Sequence, residues 1–162
     1  KLLRREREDR DLRGPVDERH RACRAPSLRD GEGTPGDANV SDGEDAEILV
    51  LACNTPARMA KGAVAAVRER GVKAGLFHPV TLWPFPIDRL LPLLDHAKDL
   101  LVVEAGPGQL EDELRLALSH AGAPPVRIHS LRRLGGMLPQ EHDIVEKILS
   151  IPGVAPNDPS PR

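Results

Sequence analysis

The sequence predicts a three-layer α/β/α fold, with helices covering both faces of a mostly parallel sheet. Two observations carry that expectation. Uninterrupted apolar runs such as Ile48-Leu49-Val50-Leu51-Ala52 and Leu100-Leu101-Val102-Val103 have the pattern of strands buried on both faces. Between them lie segments with apolar residues at three- and four-residue spacing, the period of a helix that lays one stripe on a sheet. Strands alternating with helices over short connections imply parallel neighbours, because each parallel pair needs a crossover.

In chain order, residues 1–45 are rich in mixed charge, Gly and Pro and poor in periodic apolar positions, the composition of a largely disordered linker. Within it, Lys1 to Arg13 alternates acid and base as a solvated helix does, and Gly31 to Asp45 reads as a flexible acidic approach. The folded domain is expected over 46–151, with a disordered tail over 152–162. Its first strand is Ile48 to Ala52. Thr55-Pro56 then offers a hydroxyl N-cap followed by proline at the first helical position, where the missing N–H costs nothing. Ala57, Ala60, Val64 and Val67 trace the inward stripe of that helix, and Gly71 suits its left-handed C′ position.

A second strand is expected over Val72 to Phe77. A proline-punctuated segment follows, leading to a helical pattern at Ile87, Leu90, Leu91 and Leu94 that Pro92 should kink or split. Leu100 to Glu104 is the third strand and Gly106-Pro107-Gly108 a turn. Leu110, Leu114, Ala117, Leu118 and Ala121 mark another helix ending at Gly122. A short strand over Val126 to Ser130, a Gly135-Gly136 loop and a last helix from Pro139, with Ile144, Val145, Ile148 and Leu149 inward, complete the domain. Pro152 ends that helix.

Composition narrows the functional classes. With 23 Lys and Arg against 25 Asp and Glu, no overall field draws the chain to nucleic acid or an anionic membrane. Cys23 and Cys53 form no C-x-x-C pair, which argues against a zinc site or an iron–sulfur cluster held by this chain alone and suits a reduced, cytoplasmic setting. No apolar run approaches the roughly 20 residues that span a bilayer. The start at Lys1 rather than Met is expected of a fragment.

Aromatic residues are rare, and Phe77, Trp83 and Phe85 all fall in one stretch, Gly75-Leu76-Phe77-His78-Pro79-Val80-Thr81-Leu82-Trp83-Pro84-Phe85-Pro86. This stretch resembles the segment G-L-F-R-P-I-T-L-W-P-F-P of 2-oxoacid:ferredoxin oxidoreductase alpha subunits. The resemblance covers about residues 45 to 150, where Ala57-Arg58-Met59-Ala60-Lys61, Leu101-Val102-Val103-Glu104 to Gly108-Gln109, and Gly135-Gly136 with Pro139 to Ile148 are similar to further family segments. Cys53-Asn54-Thr55 stands where the family often has Tyr-Gly-Ser, His78 replaces the usual Arg, and Pro92 interrupts a usually regular helix.

The resemblance implies the carboxy-terminal core domain II, similar to the carboxy-terminal domain of transketolases. It implies a holoenzyme that oxidatively decarboxylates a 2-oxoacid to an acyl-CoA and reduces ferredoxin, using thiamine diphosphate, Mg2+, iron–sulfur clusters and CoA. None of these cofactors is expected on this chain alone. The implied partners are the other oxidoreductase domains, a beta subunit and, indirectly, ferredoxin, with no nucleic acid or membrane. The isolated chain is expected to be inactive, a structural and assembly domain. The alternative is an orphaned stand-alone adaptor or small-molecule-binding module.

No residue is assigned a catalytic, cofactor or metal role. His78, Pro79, Thr81, Trp83, Pro84, Phe85 and Pro86 are the candidate interface, a proline-stiffened loop whose aromatic rings can anchor a partner or fold back over the sheet edge. Glu104, Gly108 and Gln109 mark a turn at a strand end. Gly106-Pro107-Gly108 could offer backbone N–H groups to a phosphate, but the neighbouring Glu104, Glu111 and Asp112 oppose an anion and favour a simple turn. Cys53 and His78 could meet as a nucleophilic pair, although no third orienting residue is evident and each has a plainer explanation, Cys53 as a small hydrophobe and His78 as a polar substitute.

Overall fold

A computed structural model of the chain describes residues 36–154. The expected Lys1 to Arg13 helix, Cys23, most of the expected linker and residues 155–162 of the expected tail lie outside them. Five strands form one sheet: β1 (Ala38–Ser41), β2 (Ile48–Ala52), β3 (Ala74–Pro79), β4 (Asp99–Glu104) and β5 (Arg127–Arg132), in the order β1-β3-β2-β4-β5. β3, β2, β4 and β5 are parallel, with Val50 opposite both Leu76 and Leu101, and β1 is antiparallel to β3. The helices are α1 (Asn54–Arg68), α2 (Ile87–Leu90), α3 (Gln109–His120) and α4 (Glu141–Leu149), with a 3-10 helix over Leu91–Asp95 between α2 and β4.

Every residue of β2 and β4 is buried, and the two-residue period of a strand sorts them between two cores. Ile48, Val50, Ala52, Leu101 and Val103 meet Ala60, Ala63, Val64 and Val67 of α1 and Ile144 and Ile148 of α4. Leu49, Leu51, Leu100 and Val102 meet Phe77, Phe85, Leu90, Leu94, Leu110 and Leu114 on the other face. Helices therefore cover both sides, as the apolar runs predicted. The alanines of α1 bring its axis close to the sheet, and at Gly62 a Cβ would collide with the Glu141 carboxylate that opens α4.

Several boundaries differ from expectation for local reasons. β1 lies inside the segment expected to be linker. It is four residues long and polar at Asn39 and Ser41, so its pairing comes from backbone offered by β3 rather than from an apolar signal. β3 begins at Ala74 instead of Val72, because Gly71 turns left-handed at φ +82° and the Val72 N–H closes α1 by donating to Val67 O at 3.1 Å. Cys53, not Thr55, precedes α1 and no side chain caps it; Asn54 takes φ +54° at the helix entrance. Pro92 splits its segment as expected, with α2 stopping at Leu90 and the 3-10 helix continuing. The last helix starts at Glu141 rather than Pro139, set by a reciprocal cap in which Gln140 N–H donates to Asp143 Oδ2 at 2.9 Å.

Candidate functional site

From β2 the chain passes through α1 to β3 on one side, then returns through α2 to β4 on the other side. The strand order thus reverses at the β2/β4 pair, and the crevice outside the carboxyl ends of such a pair is where open α/β sheets hold ligands. A pocket of about 370 Å³ sits there, lined by Cys53, Pro56, Leu82, Glu104, Gln109 and Leu138 among others. Leu82 comes from the loop after β3 and Leu138 from the loop after β5, so two loops far apart in sequence converge over this strand pair.

The candidate interface loop is built against β1. Val80 N–H donates to Asp37 O at 3.0 Å, and the Thr81 hydroxyl accepts from Gly36 N–H at 2.9 Å while donating to Pro84 O at 3.2 Å. These bonds divide the loop's residues. Pro79, Phe85 and Pro86 are buried, with Phe85 stacked on Phe77 at a centroid distance of 6.3 Å. Thr81 and Pro84 are half-buried, whereas Leu82 and Trp83 project with 40% and 60% exposure. Phe85 is thus the ring that folds back over the sheet. Leu134, Met137 and Leu138 on the loop after β5 are also exposed, so the loops after β3 and β5 both carry exposed apolar side chains.

At the turn after β4, Gly108 adopts φ +124° with the Arg132 guanidinium where a Cβ would stand. The Leu110 N–H donates to Glu104 Oε2 at 3.2 Å, so this carboxylate serves the amino end of α3 and opposes an anion there. Glu104 Oε1 is buried without a hydrogen bond among the described residues, 3.8 Å from Arg132 Nε. Gln109 is exposed at the first residue of α3. Beside it, Glu111 accepts from Ser130 Oγ at 2.5 Å, Arg132 Nη2 at 2.6 Å and Arg115 Nη2 at 2.7 Å. Burial favours its neutral form, but the hydrogen bonds from Ser130, Arg132 and Arg115 win and hold its pKa at about 2. This network was missed in sequence because its partners are divided between α3 and β5, which lie far apart along the chain.

Cys53 and His78 do not form the pair weighed above. Cys53 lines the β2/β4 crevice, and His78 lines a different hollow between β1, β3 and α1. Burial and the Glu104 charge raise the Cys53 thiol above its ordinary value, the opposite of what activates a nucleophile. Burial lowers the His78 pKa, favouring neutral imidazole. Among the described residues no three His, Cys, Asp or Glu side chains gather as metal ligands. No described helix is long and apolar enough to cross a membrane.

The model of the family described as pyruvate:ferredoxin oxidoreductase core domain II matches residues 46–144. The chain is similar to the ketoisovalerate oxidoreductase subunit VorB of Methanothermobacter thermautotrophicus, 36% identical over 110 residues, covering 68% of this chain and 30% of the relative. It is also similar to the 2-oxoglutarate synthase subunit KorA of Methanothermobacter marburgensis, 32% identical over 108 residues, covering 67% and 28%. The chain thus spans less than a third of the length of these relatives. Among solved structures, a 2-oxoglutarate:ferredoxin oxidoreductase from Magnetococcus marinus shares the fold at TM-score 0.59 and 19% identity, over 69% of this chain and 19% of that one. A split-gene transketolase shares it at TM-score 0.58 and 20% identity, over 72% and 41%. The expected likeness to transketolase domains therefore holds at the level of the fold.

Proposed function

The chain belongs to the pyruvate:ferredoxin oxidoreductase core domain II family, and we propose that it works as the non-catalytic closing domain of a 2-oxoacid:ferredoxin oxidoreductase alpha subunit. It docks through its carboxyl-end loops onto the rest of the enzyme. The observation that carries this reading is the convergence of exposed Leu82 and Leu138 on the β2/β4 crevice, from two loops that also expose Trp83, Leu134 and Met137, apolar side chains that the domain's own two cores do not use. Trp83, next to Leu82 on the same loop and lining a separate hollow with Leu116 and Ala117 of α3, is the proposed anchor. Phe85, Pro79 and Pro86 hold the loop from beneath, and Thr81 fixes its shape.

In this reading thiamine diphosphate, Mg2+, CoA and the iron–sulfur centres sit on other domains and subunits. The beta subunit is the principal partner, ferredoxin is met only through the assembled enzyme, and the setting is cytoplasmic. The two relatives are named for different 2-oxoacids while sharing this domain, which supports placing substrate choice elsewhere in the subunit. The test is co-purification of the tagged full chain from native lysate, with mass-spectrometric identification of what accompanies it. Recovery of a thiamine-diphosphate-binding subunit, reduced about tenfold or more by Trp83→Ala, is expected. A folded chain recovered alone would refute the assembly role and leave the stand-alone module.

A further inference from the structure

The hollow that contains His78 has a chemistry unlike that of the β2/β4 crevice. Across the β1/β3 pair Asn39 faces His78 and Ser41 faces Leu76, so these four residues share one sheet face. The helix α1 covers that face, because Leu76 belongs to the same core as Ala60 and Val64. Along α1, Asn54, Arg58 and Lys61 recur at spacings of four and three, which puts them on one side of the helix, toward the polar sheet edge. The result is a hollow of about 590 Å³ lined by Arg58, Lys61, His78, Asn39 and Asn54, with no carboxylate among the described residues that line it.

Arg68, Arg115, Arg127, Arg132 and Arg133 each hold an acidic side chain, whereas among the described residues neither Arg58 nor Lys61 has an ion-pair partner. We propose that this hollow binds a phosphate-bearing small molecule. A carboxylate offers two oxygens in one plane. A phosphate presents oxygens in several directions, matching donors that arrive from β1, β3 and α1. The hollow exceeds a bare phosphate, and Leu76 and Ala57 give its organic remainder an apolar floor. His78 reports occupancy: burial holds its pKa low, and a bound dianion pulls it upward.

The test is an NMR titration of the full chain with inorganic pyrophosphate, following the imidazole signals of His78, with acetate at equal ionic strength as the comparison. Saturable shifts with pyrophosphate alone and a rise in the His78 titration midpoint are expected. Arg58→Ala and Lys61→Ala should each weaken binding by about tenfold while leaving the melting temperature unchanged, since neither side chain holds another part of the fold. Phenyl phosphate should bind more tightly than inorganic phosphate. An absence of saturation at millimolar pyrophosphate, equal shifts with acetate, or unchanged affinity in both variants would overturn the site and leave a solvated helix face. Equal affinity for phenyl phosphate and inorganic phosphate would overturn the organic remainder.

Discussion

Replacing Glu111 by Gln removes one charge from the network that ties α3 to β5, at nearly constant shape. The carboxylate is 6% exposed and accepts from Ser130, Arg132 and Arg115. The fall of its pKa from 4.5 to about 2 corresponds to a ceiling of roughly 3 kcal/mol of stability. Arg115 and Arg132 are 53% and 40% exposed, so solvent screening discounts this to about 2 kcal/mol. Neither arginine is left buried when the charge goes. The sign follows from the depressed pKa: the stabilisation is complete above pH 4.5 and is lost as the pH falls toward about 2. Urea unfolding of wild type and Glu111→Gln from neutral pH down to about 2.5 should show a gap near 2 kcal/mol that closes on acidification. The pH dependence from Asp99 and Asp143, whose pKa values are also lowered, is common to both proteins and cancels. A gap of the same size at pH 7 and at pH 3 would refute the assignment of this stability to the Glu111 charge.

Phe85→Ala should cost about 3 to 5 kcal/mol in urea unfolding, since the ring is 7% exposed and stacked on Phe77, whereas Trp83→Ala should cost less than about 1 kcal/mol. Equal losses would mean that the two rings share one role. Asn54 sits at φ +54°, so Asn54→Ala should lose about 1 kcal/mol while Asn54→Gly keeps wild-type stability; the reverse order in thermal melts would show that the helix entrance is unstrained. His78 should titrate below 6.5 by NMR. Its contribution is present above its unfolded pKa of 6.5 and lost as the pH falls below that through the folded pKa, so His78→Gln should flatten the stability profile below pH 6.5. An unchanged profile would argue against burial of a neutral ring.

What was legible in the sequence is what burial on both faces writes there. Ile48 to Ala52 and Leu100 to Glu104 could only be central strands, and the alanine–valine stripe from Ala57 to Val67 could only be a covering helix. β1 was illegible because an edge strand with Asn39 and Ser41 carries no apolar requirement; β3 supplies its partner. Trp83 and Phe85 look alike in sequence, two aromatics between prolines, and only the bonds of Thr81 and Asp37 decide which ring turns inward. Glu104 reads as a turn residue, yet it is buried and bonded to the Leu110 N–H. Arg58 and Lys61 were noted as part of a family segment, and their convergence with His78 depends on β1, the element that the sequence hid.

The sheet edges fit the proposal that contact with a partner belongs to the loops. An exposed edge invites strand addition unless it is short, twisted away or charged. β1 is four residues long, and β5 carries Arg127, His129 and Arg132, which are tied to Asp99 and Glu111. Neither edge offers a long apolar template. Both cores are already closed by helices, so strand pairing and helix packing are largely spent inside the domain. The apolar side chains that remain outside, Leu82, Trp83, Leu134, Met137 and Leu138, come from loops after β3 and β5, and Leu82 and Leu138 meet at the crevice where the strand order reverses. A partner that buries this rim gains apolar area without disturbing the sheet. The cationic hollow beside α1 is lined by a different set of residues, apart from Asn54 and Thr55 at the junction of the two.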